Sequence, residues 1–478
     1  MSLFRPSIRL LLFTVSFQAA GLIADGETYC IGNAPQLFVG DALIKAKDGV
    51  IRRVHACNKL THPVLEPEMP WEQDGDDQRI YVYGTVRRDA EDGLFHLWYN
   101  RNDLVLYAVS EDGMAWSRPE LGLVELQGSK ANNCVQRHFH SPSVVYTPDT
   151  ERRYAMLGFK RTDGRGCYAA VSGDGLHWKL CSETPAFSYG DTCTLMFEPA
   201  SGMYLAFHKK NLPWRGHERR LVYLSASRDL QTWSDSTPVM MPDEIDDAQV
   251  KREGGRYSEF YNMSVFPYGG QYLGFVTHFR FTGPPERRGP LQSNDDGPID
   301  VQLVHSRDGR TWERCEDRSP VIPNGPHAYD AGCILGVANG VVPVNDELWT
   351  YYTAITTTHG GFVPEKRITV ALAKWRMDGF VSLDTDENGG SVQTIPMAWT
   401  GDRLFVNAEA GELTVAVRDP SGMPLPGYTH AACIPVSGDS VRHTVCWKKH
   451  KTLPEGSPLC LEFRMKNARL YSFKIVSD

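Results

Sequence analysis

The stretch LYAVSEDGMAWSRPELG (residues 106–122) holds a motif, Ser-x-Asp followed four residues later by Trp, that recurs along the chain. Three further copies are SGDGLHW (172–178), SRDLQTW (227–233) and SRDGRTW (306–312). Ser and Asp side chains can accept hydrogen bonds from backbone amides in a tight turn, and the Trp ring can cover a neighbouring sheet. We therefore interpret the four aspartates as turn residues and not as catalysts: Asp112, Asp174, Asp229 and Asp308.

Each copy of the motif is surrounded by the same order of short apolar runs and turns. An apolar run, a turn rich in Pro, Gly or Asp, and a second run with aromatic residues precede the motif strand, and a fifth repeat has the same runs without the motif. Short strands at regular spacing without long helical periodicity predict an all-β fold, and repeats of four strands are typical of propeller blades. The sequence thus predicts a five-bladed β-propeller over residues 36–394, followed by a small C-terminal β-sandwich over 396–478. Residues 36–44 are predicted to complete the last blade, because closing the ring removes exposed strand edges.

Composition and the N-terminus indicate an exported protein. Residues 1–24 have the pattern of a signal peptide, with Arg5 and Arg9, a short apolar run and small residues. We therefore expect a secreted or periplasmic protein that has no membrane partner once the signal is removed. A net charge of -8 disfavours nucleic acid as a partner. Export permits disulfides, but Cys193 and Cys333 lie in apolar runs and are predicted to be buried thiols.

Acidic side chains are predicted to meet where the innermost strands begin. Counting back eight residues from the first-turn proline of the second, third and fourth repeats gives His140, Asp191 and Glu259. The fifth repeat has Asp330 in a similar place, and the first is preceded by an acidic stretch that includes Glu72 and Asp77. Carboxylates that converge on one funnel perturb each other's pKa, and paired carboxylates are what glycosidic bond cleavage requires. The alternative is that each carboxylate caps a strand or bonds to a neighbouring blade.

Basic and aromatic side chains are predicted to line the same face and to bind substrate. The second strand of each repeat returns to this face, and its end is often basic or polar; the candidates are Arg101, Arg161, His208, His278 and His359, with Trp71 beside the acidic stretch. These groups suit sugar hydroxyls or an acidic sugar, although a solvated strand end explains them equally well. The Pro- and Gly-rich residues 280–300 are a candidate lid.

The repeat plan resembles the five-bladed propeller glycosidases, the superfamily of invertases, arabinanases and β-mannoside phosphorylases. HPVLEPEMPWE (62–72) is similar to the segment before blade one in the phosphorylases, and the chain is most similar to secreted members with DGxxWxxPxLG and a run like YNMSVFPY (261–268). The resemblance implies a glycoside hydrolase with Glu259 as acid, Asp191 as the carboxylate that tunes the pKa, and Asp77, or else Glu72, as the first-blade carboxylate. The NDPNG, RDP and EDPR motifs of named branches are absent, so the sugar is left open.

The resemblance implies an oligo- or polysaccharide as partner and no cofactor. Some relatives hold a calcium ion, for which His138 or His140 would be the candidate ligand here. Two other functions are compatible with the sequence: a non-catalytic carbohydrate-binding propeller, and a surface protein with a degenerate funnel.

Overall fold

The computed structural model describes residues 29–149, 151–162, 164–287, 293–456 and 458–477, so the predicted signal peptide lies outside the described residues. As predicted, the fold is nearly all β. The α-helix Glu244–Arg252 is capped by Asp243, whose Oδ1 accepts from the amides of Ile245 (2.9 Å) and Asp246 (3.1 Å). Short 3-10 turns cover Pro70–Glu72 and Ala328–Asp330. Within the described ranges, no helix has the length and apolarity needed to cross a bilayer.

Most strands fall into three four-stranded antiparallel sheets and one nine-stranded sheet. We divide the nine-stranded sheet at the parallel pairing of Ile299 with Cys333, which gives five antiparallel groups that, apart from Asn58–Lys59, follow one another along the chain. Group 1 comprises Val86–Arg88, Phe95–Arg101, Leu104–Ser110 and Cys134–Arg137. Group 2 comprises His140–Tyr146, Tyr154–Lys160, Gly166–Ser172 and Lys179–Leu180. Group 3 comprises Cys193–Glu198, Met203–Trp214, His217–Ser227 and Thr237–Met240. Group 4 comprises Tyr257–Tyr268, Gln271–Phe281, Ile299–Ser306 and Glu313–Arg314. Group 5 comprises Cys333–Val337, Val342–Val344, Glu347–Ile355, Ile368–Arg376 and Asn58–Lys59.

The five groups form a closed cycle of neighbours. Five side-chain hydroxyls, one at each junction, bond to the backbone of the neighbouring group or of the segment beside it. These bonds join Thr85 to Val144, Ser143 to Leu195, Thr194 to Met263, Ser264 to Val337, and Thr353 to Val82. The last bond returns from group 5 to the segment that precedes group 1. These hydroxyls thus find protein partners where the groups meet, as buried polar groups generally do.

The Ser-x-Asp motif forms the predicted turn. In the fourth copy, Asp308 Oδ1 accepts from the amides of Arg310 (2.8 Å) and Thr311 (2.6 Å), and Ser306 Oγ accepts from the Gly309 amide at 2.9 Å. The other three copies repeat these bonds. The Trp ring of the motif packs on the preceding group. The Trp312 ring centre, for example, lies 5.7 Å from the Phe207 ring centre in group 3. The structural interpretation of the four aspartates is confirmed.

A separate eight-stranded sheet follows, which we call the C-terminal sheet. Its strands are Gln36–Leu37, Ile44–Asp48, Ile51–Val54, Val381–Thr385, Gly390–Thr394, Arg403–Arg418, Val436–Thr444 and Cys460–Val476. Outside it, Tyr29–Ile31 pairs with Met397–Trp399, and Gln73–Asp74 pairs with Asp77–Gln78. The predicted division at 394 does not follow the sheets, because strands between residues 36 and 394 belong to the C-terminal sheet.

The prediction that residues 36–44 complete the last repeat is wrong. Gln36–Leu37 pairs with Cys460–Val476, and the strand that completes group 5 is Asn58–Lys59, paired with Ile368–Arg376. The buried ring of Phe38 lies 6.2 Å from Phe463 and 5.9 Å from Phe473, so apolar packing directs this segment into the core of the C-terminal sheet.

The two cysteines predicted to be buried thiols are buried. Cys193 and Cys333 are fully inaccessible, and neither is in a disulfide. Burial raises the pKa of Cys333 to about 12, which keeps that thiol protonated and unreactive.

Candidate functional site

Charged side chains of groups 2, 3 and 4 lie close together where the first strand of each group begins. We call the set the central cluster; its members are His140, Arg161, Asp191, Lys209, Arg220, Glu259 and Tyr261. The Lys209 ammonium lies 2.7 Å from Asp191 Oδ1 and 4.1 Å from the centre of the Tyr261 ring. The Arg220 guanidinium lies 5.4 Å from the same ring and forms an ion pair with Glu259. Tyr261 therefore lies against the cations of both carboxylate–cation pairs.

Asp191 is ionised at the accessible edge of the central cluster. Its side chain is 44% exposed, whereas that of Lys209 is 10% exposed. Burial of the site opposes ionisation of Asp191, but the neighbouring positive charges together outweigh it, chiefly that of Lys209, with Arg161 acting in the same direction. The result is a pKa of Asp191 below its ordinary value.

Glu259 lies deeper and shows the opposite displacement. Only 2% of the residue is exposed, and this burial raises the pKa of Glu259 although the Arg220 contact opposes the rise. Arg220 also forms an ion pair with Asp295 in the segment between the second and third strands of group 4. The charge of Asp295 further raises the pKa of Glu259.

His140 is a neutral member of the central cluster. Its Nδ1 lies 2.9 Å from Arg161 Nη2 and 3.2 Å from the Asn102 carbonyl oxygen. Burial and the neighbouring Arg161 charge lower the pKa of His140 to about 3. An arginine beside the ring makes His140 a poor calcium ligand, and the described residues contain no group of three or more His, Cys, Asp or Glu side chains suited to a metal ion.

Of the two first-repeat acids, Asp77 lies between two arginines. Asp77 Oδ2 lies 2.8 Å from Arg101 Nη2, and its Oδ1 contacts Arg79. Arg101 is 3% exposed and holds Asp77 in place. The prediction that Arg101 binds substrate is therefore wrong.

Glu72 has a structural role. It is fully buried, and its oxygens accept from the Tyr99 hydroxyl (2.5 Å), from Arg118 Nε (2.8 Å) and from the amides of Glu68 and Met69 (2.9 and 3.1 Å). This set of donors leaves Glu72 no free oxygen for a sugar. The prediction of Glu72 as a catalytic alternative is therefore wrong, and it fails because the segment turns inward at the Pro70–Glu72 3-10 turn.

Three predicted substrate-binding residues, Asp330, His208 and His278, lie in the interior, and a fourth, Trp71, is partly buried. Trp71 Nε1 donates to Asn133 at 2.8 Å, and the residue packs against the core of group 1. Asp330 is fully buried and forms an ion pair with Lys59 at 2.5 Å.

The two histidines are likewise enclosed. His208 lies 4.5 Å from the Phe187 ring, and His278 Nε2 lies 2.9 Å from Ser258 Oγ. Both are buried, so neither can contact a ligand in this structure. The prediction that His208 binds substrate is wrong because adjacent residues of a strand point to opposite faces of the sheet. Lys209, the next residue, faces the central cluster, and His208 does not.

The sequence prediction missed Arg220 and the role of Tyr261. Arg220 lies on the third strand of group 3, where only the ends of second strands were considered. The pair Arg219-Arg220, which adjoins the apolar run 221–224 in the strand His217–Ser227, was the available signal, because a buried arginine requires a partner.

No protein-family model and no curated protein matches this sequence. Solved structures similar to it include an N-acetylgalactosamine deacetylase from F. plautii in complex with blood group B trisaccharide (14% identity, 69% of this chain and 96% of that one, TM-score 0.46). A thermostable family-43 glycoside hydrolase matches 64% of this chain and 93% of its own at 14% identity and a TM-score of 0.45. A GH32 β-fructofuranosidase from Bombyx mori matches 89% and 94% at 10% identity and a TM-score of 0.40. Several such structures are glycoside hydrolases, the class that the sequence resembles, but similarity at this level carries no argument about the activity of this chain.

Proposed function

We propose that the chain is an exported glycoside hydrolase in which the five strand groups are the blades of a five-bladed β-propeller and the C-terminal sheet is a β-sandwich. The closed cycle of hydroxyl–backbone bonds supports the propeller, since each group contacts the next and group 5 contacts the segment before group 1. Export rests on the sequence of residues 1–24 alone.

One arrangement carries the proposed chemistry: Asp191 pairs with Lys209 at the accessible edge of the central cluster, whereas Glu259 is buried and shares Arg220 with Asp295. Burial keeps the pKa of Glu259 high, so this residue can hold a proton and deliver it to the oxygen of the leaving group. Lys209 keeps the pKa of Asp191 low, so this residue stays ionised and can act on the anomeric carbon, either directly or through water. For Glu259 to be protonated its bond to Arg220 must loosen, and Asp295 offers Arg220 an alternative partner.

Binding of a glycan without cleavage is the second candidate. This function is favoured by the ion pairs of the two carboxylates, because Asp191 pairs with Lys209 and Glu259 pairs with Arg220. A site built for recognition alone would keep both ion pairs when sugar binds.

The two functions are separated by conservative substitutions tested on a panel of aryl glycosides and polysaccharides. If the protein is a hydrolase, Glu259→Gln and Asp191→Asn each lower kcat by about 100-fold or more, because proton transfer and charge stabilisation each contribute on that scale. Glu365→Gln, at an exposed carboxylate outside the central cluster, is the matched control and should leave kcat unchanged. Sugar binding with no release of product by the unsubstituted protein would reject hydrolysis and support the lectin.

A further inference from the structure

Two cations meet where the first and last strand groups join. Arg79 forms a parallel backbone bridge with Ile368, and the Ile80 amide donates to the Ile368 carbonyl oxygen at 3.1 Å. Lys366 precedes Ile368 by two residues, so its side chain starts from the strand that borders Arg79. Burial and the charge of Arg79 lower the pKa of Lys366, whereas Asp296 and Asp77 oppose this change.

Both cations keep unused hydrogen-bond donors in a buried place. Lys366 is 8% exposed, and its ammonium donates to the His359 carbonyl oxygen. An ammonium has three donors, and no ion pair to Lys366 occurs among the described residues. Arg79 contacts Asp77 through Nε, but its buried Nη2 has no partner. Buried donors without partners cost free energy, so the unpaired Nη2 of Arg79 and the remaining donors of Lys366 favour an added anion.

The charges around this place leave a positive excess. The neighbouring carboxylates are Asp77, which is already shared between Arg79 and Arg101, and Asp296, whose Oδ1 accepts from the amides of Gly297 and Gly360 at 2.7 and 2.8 Å. Three cations (Arg79, Arg101 and Lys366) thus face two carboxylates.

The place adjoins the central cluster. The His359 ring lies 5.2 Å from the Tyr261 ring, and the His359 carbonyl oxygen accepts from Lys366. Tyr81 connects the two from the other side, because it interacts with Arg79 and its ring lies 6.4 Å from the His140 ring. A sugar held beside Asp191 and Glu259 would therefore have its next substituent or residue near Arg79 and Lys366.

We propose that Arg79 and Lys366 form an anion subsite that binds the carboxylate or sulfate of an acidic sugar, so that the substrate is an acidic glycan. This inference rests on the proposed function, because it assumes that a glycan occupies the central cluster. Charge-assisted hydrogen bonds from two partly desolvated donors are strong enough to select an anionic sugar over its neutral counterpart.

The test compares matched ligands that differ in one group. Binding of 4-nitrophenyl glucuronides and galacturonides to the full chain is measured by calorimetry against the glucosides and galactosides of the same anomeric configuration, and a 6-O-sulfated galactoside distinguishes sulfate from carboxylate. We expect at least one acidic ligand to bind about tenfold tighter or more than its neutral partner. Lys366→Met and Arg79→Gln should each remove most of this preference, whereas Lys366→Arg should retain it.

The controls separate failure of the subsite from failure of the proposed function. Lys179→Met, at an exposed lysine on an outer strand, should bind all ligands as the unsubstituted protein does, and thermal unfolding identifies any variant that has not folded. Equal affinity for acidic and neutral ligands, or a preference that survives both Lys366→Met and Arg79→Gln, would overturn the subsite. Selective binding of an acidic ligand that is never cleaved would support the subsite and reject the hydrolase. A lack of binding to every glycoside would overturn both.

Discussion

The chemistry of the central cluster depends on how each carboxylate is neutralised. Asp191 meets its lysine at the accessible edge, whereas Glu259 shares Arg220 with Asp295 at depth. Two carboxyl groups thus differ in pKa because they differ in burial and in the number of charges around their cationic partners. Two substitutions that leave the carboxylates themselves intact can test this arrangement.

Replacing Lys209 by Met should move both limbs of the pH–rate profile to higher pH. Lys209 lowers the pKa of Asp191 and of Glu259, so its removal raises both. Because Asp191 must be ionised for the reaction, the acidic limb of the pH–rate profile then lies about one pH unit higher. Lys210→Met is the matched control, since Lys210 faces the rings of Tyr189 and Tyr223. An unchanged profile for Lys209→Met would argue that Asp191 takes no part in the reaction.

Replacing Asp295 by Asn should move the alkaline limb to lower pH. Asp295 raises the pKa of Glu259, and without its charge Arg220 pairs with Glu259 alone. The acid then loses its proton at a lower pH, so activity falls earlier as pH rises, while the acidic limb stays in place. Asp346→Asn, at an exposed residue in the turn before Glu347–Ile355, controls for a lost negative charge. A shift in the opposite direction would contradict the role of Glu259 as the acid.

At the scale of elements, the Ser-x-Asp turn links each third strand to the fourth strand of its group and carries its Trp onto the group before it. Its bonds are local, so the sequence alone was enough to predict them. The inward or outward direction of single residues was harder to predict: His208 and Lys209 are equally polar, and only the pairing register of Met203–Trp214 decides which of them faces the central cluster.

Asp308→Ala should lower the free energy of unfolding by about 1–2 kcal/mol, because two backbone amides lose their acceptor. Asp308→Asn keeps an oxygen in the same place and should cost less. Denaturant unfolding measures both, and kcat should not change in either variant. Loss of activity without loss of stability would overturn the structural assignment of these aspartates.

At the scale of the molecule, residues 36–59 tie the two sheet systems together. Gln36–Leu37 joins the C-terminal sheet, and Asn58–Lys59 completes group 5, where Lys59 forms its buried ion pair with Asp330. The repeats and the all-β class were predictable because each repeat carries its own pattern. This segment was not, because short strands such as Asn58–Lys59 have no apolar pattern and acquire their partners through contacts distant in sequence.

Lys59→Met should lower the free energy of unfolding by about 3–5 kcal/mol, because it leaves the carboxylate of Asp330 buried without its cation. Among the described residues, the Tyr352 hydroxyl, which donates to Asp330 Oδ2 at 2.9 Å, would then remain as a neutral donor to this carboxylate, whose Oδ1 has no partner. Lys59→Met combined with Asp330→Asn should recover part of the loss. Lys45→Met, at an exposed position in the C-terminal sheet, provides the reference for denaturant unfolding. Equal stability of Lys59→Met and Lys45→Met would refute the structural role assigned to Asp330.

The placement of residues 36–59 has a consequence for biosynthesis. These residues leave the ribosome long before their partners Ile368–Arg376 and Cys460–Val476, which lie far downstream in the chain. The nascent chain must therefore carry an apolar segment around Phe38 that cannot yet be covered, and such a segment invites aggregation or capture by a chaperone. Completion of both sheets is in this way delayed until these distant strands have been made.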